Sequence, residues 1–153
     1  MTEIIDKIDL KILRILQSDS SRSLESISNE VGVSLNTCWR RISRLEKKSI
    51  IEGRVALIDN EKVGFPLTVF VSIRTDDHSK NWVRQFYKAV ENIPEIVEFY
   101  RLAGDVDYII KMMVKSVANY DAVYKRLISN IKFSNVSASF CMEKIKFTTQ
   151  LPL

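Results

Sequence analysis

The chain has 153 residues, 46% of them hydrophobic and 27% charged, and 23 Lys+Arg against 19 Asp+Glu give a net charge of +4. That length suits one domain or two small ones, burying roughly 70% of the unfolded surface. Two well-separated cysteines, Cys38 and Cys141, exclude a disulfide framework and a cysteine-rich zinc site and fit a reducing compartment. No apolar run reaches the ~18 residues of a membrane span, and the opening MTEIIDKIDL is too charged for a secretory signal, so a soluble intracellular protein is expected.

Only four glycines and three prolines punctuate the chain. The polar stretch Asp59–Pro66 holds one of each, and the hydrophobic pattern changes across it from helical to strand-like. The expected organisation is therefore a first domain over residues 1–60, a linker over 61–66 and a second domain over 67–153. Neither half is strongly basic as a whole. The positive charge is local: residues 36–48 carry Arg40, Arg41, Arg44, Lys47 and Lys48 against Glu46 alone.

Ile5, Ile8, Ile12, Ile15 and Leu16 form the stripe of a first helix that Asp6 can cap and the polar run Ser18–Ser23 ends. Leu24, Ile27 and Val31 mark a second, shorter helix stopping at Gly32, and Ser34 offers an N-cap to a third. At ~100° per residue, Leu35, Cys38, Ile42 and Leu45 of this third helix fall on one side. Asn36, Thr37, Arg40, Ser43, Arg44 and Lys47 fall on the other, with Arg41 and Trp39 on the flanks. Short hydrogen-bonding groups at the helix start and cations further along suit base edges in a major groove and then phosphates. Two helices joined by the Gly-containing turn Gly32-Val33-Ser34 make a helix-turn-helix, and Ile50–Ile58 reads as a strand for a small wing.

The remaining chain reads as β-α-β-β-α-β. Strands are expected over Leu67–Ile73, Ile96–Leu102, Tyr108–Val114 and Val136–Phe147, and helices over Asn81–Ile93 and from Ser116 onward. This is the order of a ferredoxin-like sandwich, with helices on one face of an antiparallel sheet and the other face bare. A bare face calls for a partner, at least a second copy of the chain. The fold class is α+β.

The segment Val31-Gly32-Val33-Ser34-Leu35-Asn36-Thr37-Cys38-Trp39-Arg40-Arg41-Ile42-Ser43-Arg44-Leu45-Glu46 resembles the helix-turn-helix of the Lrp/AsnC (leucine-responsive, or feast/famine) transcriptional regulators. Ile5-Asp6-Lys7-Ile8-Asp9 through Leu13 resembles their first helix, and Gly104-Asp105-Val106-Asp107-Tyr108 their Gly-Asp-x-Asp-Tyr turn. The ending Lys146–Leu153 is also similar, so the resemblance spans nearly the whole chain.

It implies a winged helix that binds duplex DNA as a dimer, through Ser34, Asn36, Thr37, Arg40, Arg41, Arg44, Lys47 and Arg54. It further implies a domain that pairs into dimers, often four to an octamer, with a small effector near the turn and amino acids as the usual effectors. The residues carried over for that effector are Arg101, Ala103, Gly104, Asp105, Asp107 and Ser139. A cytoplasmic, nucleoid-associated prokaryotic protein with neither cofactor nor metal is implied. Ser49, Arg54 and Ser20-Ser21 depart from the family pattern, which more often has Gly, Tyr and Gly-Arg there.

Two other readings stay open. An effector-independent architectural DNA binder would keep the same basic helix. A tetrapyrrole decarboxylase of this architecture would need histidine chemistry, and the sole histidine is His78, in a polar stretch.

Overall fold

A computed structural model describes residues 5–129 and 131–153. The chain divides into two compact units, one holding the chain up to Leu57 together with Lys146–Leu153, the other Ile58–Ile145.

The first unit is three helices: α1 Lys7–Ser18, α2 Leu24–Val31 and α3 Leu35–Lys47. Each starts on a side chain that accepts amide protons otherwise left without a partner. The Asp6 carboxylate accepts from the N–H of Ile8 and of Asp9, both at 2.9 Å, while Asp9 accepts from the Asp6 N–H at 3.2 Å, a reciprocal capping box. Ser23 accepts from the Ser26 N–H and Ser34 from the Thr37 N–H. Gly32 ends α2 at φ 77°, a left-handed position that lets the chain reverse into α3 within three residues. The three stripes meet in a core of Ile12, Leu16, Ile27, Val31, Cys38, Ile42 and Leu45. Leu35 does not join it and stays 52% exposed, although the wheel places it on the buried side. A wheel gives direction only, and the first residue of a helix has no preceding turn beside it to complete its cover.

Ser49, just after α3, has φ 54°. Left-handed backbone is costly for a residue bearing Cβ, so Ser49→Gly is expected to stabilise this unit. Relief of strain, less the extra freedom gained by the unfolded chain, leaves roughly 0.5–1 kcal/mol. Urea denaturation of the variant beside the parent checks this, and a lower midpoint would contradict it.

Residues 52–58 run without secondary structure, and Val55, Leu57 and Ile58 are exposed. The wing strand expected there is absent from the described residues of the single chain, because a strand exists only where a neighbour takes its amides and carbonyls. The tail lies on α1 instead: Gln17 exchanges two 2.9 Å hydrogen bonds with the Leu151 backbone, and Arg14 donates to the Leu153 carbonyl at 2.7 Å.

The second unit has the order β1 Leu67–Arg74, α4 Lys80–Glu91, β2 Ile96–Arg101, β3 Tyr108–Val114, α5 Val117–Ile128 and β4 Asn135–Phe140. Its sheet runs β2-β3-β1-β4 with every pair antiparallel, the expected ferredoxin-like arrangement. Alternate residues Val69, Val71, Ile73, Tyr108, Ile110, Met112 and Val114 face the helices, which contribute Trp82, Phe86, Val90, Val123 and Leu127. The opposite face carries Phe70, Tyr100, Ile109 and Met113, but also Lys111 bonded to Glu98 at 2.6 Å. It is a mixed face, part apolar and part charged.

Strand β4 ends at Phe140, short of the predicted Phe147. The Thr68 carbonyl of β1 accepts the Cys141 N–H at 2.9 Å, and pairing stops there, beside the start of β1 at Leu67.

Candidate functional site

Two places gather chemistry, the outer face of α3 and the end of the sheet where β2 meets β3.

On α3 the basic residues separate into two groups. Arg41 donates to Asp6 at 2.6 Å and to Asp9 at 2.9 Å, and Arg44 also reaches Asp9, whose carboxylate is completely buried. These two guanidiniums therefore pin α3 to the start of α1. The Arg41 guanidinium is held above its usual value by its bonds to Asp6 and Asp9. Asp6 is held below the ordinary 3.8, first by the Asp9 amide and then by Arg41. Its ionised contribution is complete above the unfolded carboxylate range and is lost as pH falls through the lowered folded value.

Arg40, Asn36 and Lys47 are exposed and have no hydrogen bond or ion pair among the described residues. Ser34 and Thr37 are occupied with each other at the cap, with hydroxyls 2.9 Å apart. Arg54 pairs with Glu46 at 2.8 Å. The α3 face open to a partner thus comprises Asn36, Arg40 and Lys47, with the remaining guanidinium N–H groups of Arg44 at its edge. Asp9 escaped the sequence reading as a functional residue. The signal was present in Asp6-x-x-Asp9, a capping box whose second carboxylate has lone pairs to spare for arginines.

At the sheet end, the Leu102 N–H donates to the Asp107 carbonyl at 2.8 Å and closes the turn, within which Gly104 sits at φ 148°. Asp107 is half-buried and already engaged: its amide donates to the Ile73 carbonyl at 3.0 Å, and its carboxylate accepts the Thr75 N–H at 2.9 Å. It ties the end of β1 to the start of β3 and keeps one carboxylate oxygen over. Ala103, Gly104 and Asp105 are exposed.

Arg101 ends β2 opposite Tyr108 and lines a cavity of about 700 Å³. Its other walls are Val83, Tyr87 and a charged group from α4 and the residues before it: His78, Lys80, Arg84, Lys88 and Glu91. Tyr108 is buried beneath it, and that burial pushes its phenol up from 10.0. A smaller cavity of about 240 Å³ shares Tyr87, Glu91 and Arg101. Ser139 is elsewhere: it pairs with Phe70 on the opposite face of the sheet, in the far edge strand. Arg101 thus precedes the turn in the chain but lines cavities whose walls include none of Ala103, Gly104, Asp105 and Asp107, and Ser139 lies apart from both. The α4 cations were not singled out from sequence, although their four-residue spacing puts Lys80, Arg84 and Lys88 in one row along a helix.

Residues 5–46 match the AsnC-type helix-turn-helix domain, and residues 68–151 match the Lrp/AsnC ligand binding domain. The chain is 47% identical over 149 residues to a glutamate uptake regulatory protein of Zymomonas mobilis, covering 97% of this chain and 91% of that one. It is similar to the crystal structure of an AsnC family transcriptional regulator from Agrobacterium tumefaciens, with 50% identity, TM-score 0.91 and 96% of both chains covered. A transcriptional regulator from Neisseria meningitidis, crystallised with L-methionine, superposes with TM-score 0.91 at 29% identity over 97% of each chain.

Proposed function

The chain belongs to the Lrp/AsnC family of DNA-binding transcriptional regulators, and from that premise we propose how its residues divide the work. Residues 1–60 bind duplex DNA, 61–66 link, and 67–153 sense an amino acid and assemble the protein. Asn36 and Arg40 read base edges, while Lys47, Arg54 and the free N–H groups of Arg44 contact phosphates. Ser34 and Thr37 set the helix start, and Arg41 holds the helix in position. The observation that carries this reading is that α3 leaves Arg40 and Lys47 unpaired on a helix whose other arginines anchor it to Asp9.

The amino acid sits at the corner formed by Arg101, Ala103, Gly104, Asp105 and Asp107. Gly104 lets backbone amides approach a carboxylate, Arg101 gives a bidentate contact, and the spare Asp107 oxygen takes the ammonium. In this reading Ser139 lies on the face where two copies pair and contributes to the site only across assembled copies, as a dimer and then an octamer of four dimers. The Neisseria relative's complex with L-methionine supports an amino-acid ligand. The protein works without catalysis or cofactor in the cytoplasm, on the nucleoid. In support, the relatives are regulators, and His78 stands among cations rather than beside a nucleophile. No helix among the described residues is long and apolar enough to cross a membrane.

Binding to a duplex from upstream of its own gene, titrated with salt against random duplex, with and without pooled amino acids, tests this. Specific, salt-sensitive binding that shifts with the pool is expected. Specific binding without a shift would favour an effector-independent architectural role. Arg40→Ala is expected to weaken binding by about 1–3 kcal/mol if its contact reads a base, and unchanged affinity would remove Arg40 from the interface.

A further inference from the structure

We propose that the cavity beside Arg101 selects an amino acid with an acidic side chain, an inference resting on the reading that the effector is an amino acid. The cavity walls carry Lys80, Arg84, Lys88 and Arg101 together with His78, and Glu91 is the single carboxylate among them. None of these four cations has an ion-pair or hydrogen-bond partner for its side chain among the described residues. Elsewhere in the same unit, Lys111, Lys125 and Arg126 each hold a carboxylate.

Lys80, Arg84 and Lys88 follow one another at four-residue spacing on one helix. Like charges there repel, and Glu91, three residues beyond Lys88, is the single carboxylate in the cavity walls to offset them. The α4 N-terminus begins at Lys80 and adds its own positive end to the cluster. Such a site is incomplete without an anion.

The count of charges narrows the ligand. A neutral amino acid brings one carboxylate and one ammonium, which would leave half of the cations facing an uncharged side chain. An acidic amino acid brings two carboxylates and one ammonium. Two carboxylates match the four cations, with Arg84 and Arg101 able to bind in bidentate fashion, and the ammonium stays with the spare Asp107 oxygen of the adjoining turn. The rings of Tyr87 and Tyr108 line the space between. Selection follows because an uncharged side chain would leave the mutual repulsion of the cations unrelieved.

The test is calorimetric titration of the full chain with L-glutamate and L-aspartate, set against L-glutamine, L-asparagine and L-methionine. The acidic pair are expected to bind at least about tenfold tighter than their amides, the scale of one charge-assisted hydrogen bond. Arg84→Gln and Lys88→Gln, exposed positions where the parent's melting temperature is the check on folding, should each weaken the acidic ligand by about tenfold or more. Equal or tighter binding of a neutral amino acid overturns the charge match while leaving the effector reading intact. Tight glutamate binding unchanged in both variants places the ligand elsewhere and also overturns it. Binding of none of the five defeats the effector reading and this inference with it.

Discussion

Asp9→Ala is expected to destabilise the first unit by about 3 kcal/mol. The carboxylate is fully buried and accepts from two guanidiniums as well as from the Asp6 amide, so its removal breaks both the ion cluster and half of the capping box. Removing one partner of a buried pair typically costs 3–5 kcal/mol, because the other charge remains desolvated. Here the effect falls at the lower end. Arg41 and Arg44 are partly exposed and can turn toward water, and Asp6 continues to hold Arg41. Amide hydrogen exchange over α1, α2 and α3 gives the readout, with faster exchange expected in all three helices. A change below ~1 kcal/mol would mean that the arginines do not anchor α3. DNA affinity should fall as well, though Asp9 faces no ligand, because a recognition helix that loses its anchor pays an ordering cost on binding.

The second large effect is expected at Phe86→Ala, in the other unit. Phe86 is completely buried and lies with its ring centroid 5.0–5.2 Å from those of Trp82, Phe99, Tyr108 and Phe133. Truncating such a ring leaves a cavity and removes several edge-to-face contacts, a loss of about 3–5 kcal/mol. A unit of this size is stabilised by on the order of 5–10 kcal/mol in total, so most of its margin goes. The chain has two tryptophans, Trp39 in α3 and Trp82 in α4. A Trp39→Phe background makes Trp82 fluorescence the reporter for this unit, and its unfolding midpoint in urea should drop steeply. Because Tyr108 lies under the Arg101 cavity, the effector site should loosen with it. A midpoint close to the parent's would show that the aromatic cluster repacks, contrary to the close packing described.

Much of the molecule was legible in the residues because the relevant interactions are local. Asp6 and Ser34 were recognisable as caps, and each bonds an amide two or three positions ahead. The stripes Ile12–Leu16, Ile27–Val31 and Cys38–Leu45 have helical period, and Leu67–Ile73 is rich in the β-branched and aromatic residues that favour strands. Gly32 announced its left-handed turn. Errors arose where an element depends on something distant. Ile50–Ile58 has the composition of a strand but no strand neighbour among the described residues, and β4 stops beside the start of β1.

The sequence by itself determined the element order, the caps and the α+β class, since periodicity and capping involve residues within one or two turns of each other. Only the tertiary structure decided which cations are at work where. Arg40 and Arg44 fall on the same side of a helical wheel, yet Arg44 reaches Asp9 across 35 positions of sequence while Arg40 remains open. Arg101 and the α4 row of Lys80, Arg84 and Lys88 meet around one cavity only because β2 folds back beside that helix. A charge's role depends on what lies within a few ångströms of it, and the fold, not the spacing along the chain, sets that distance.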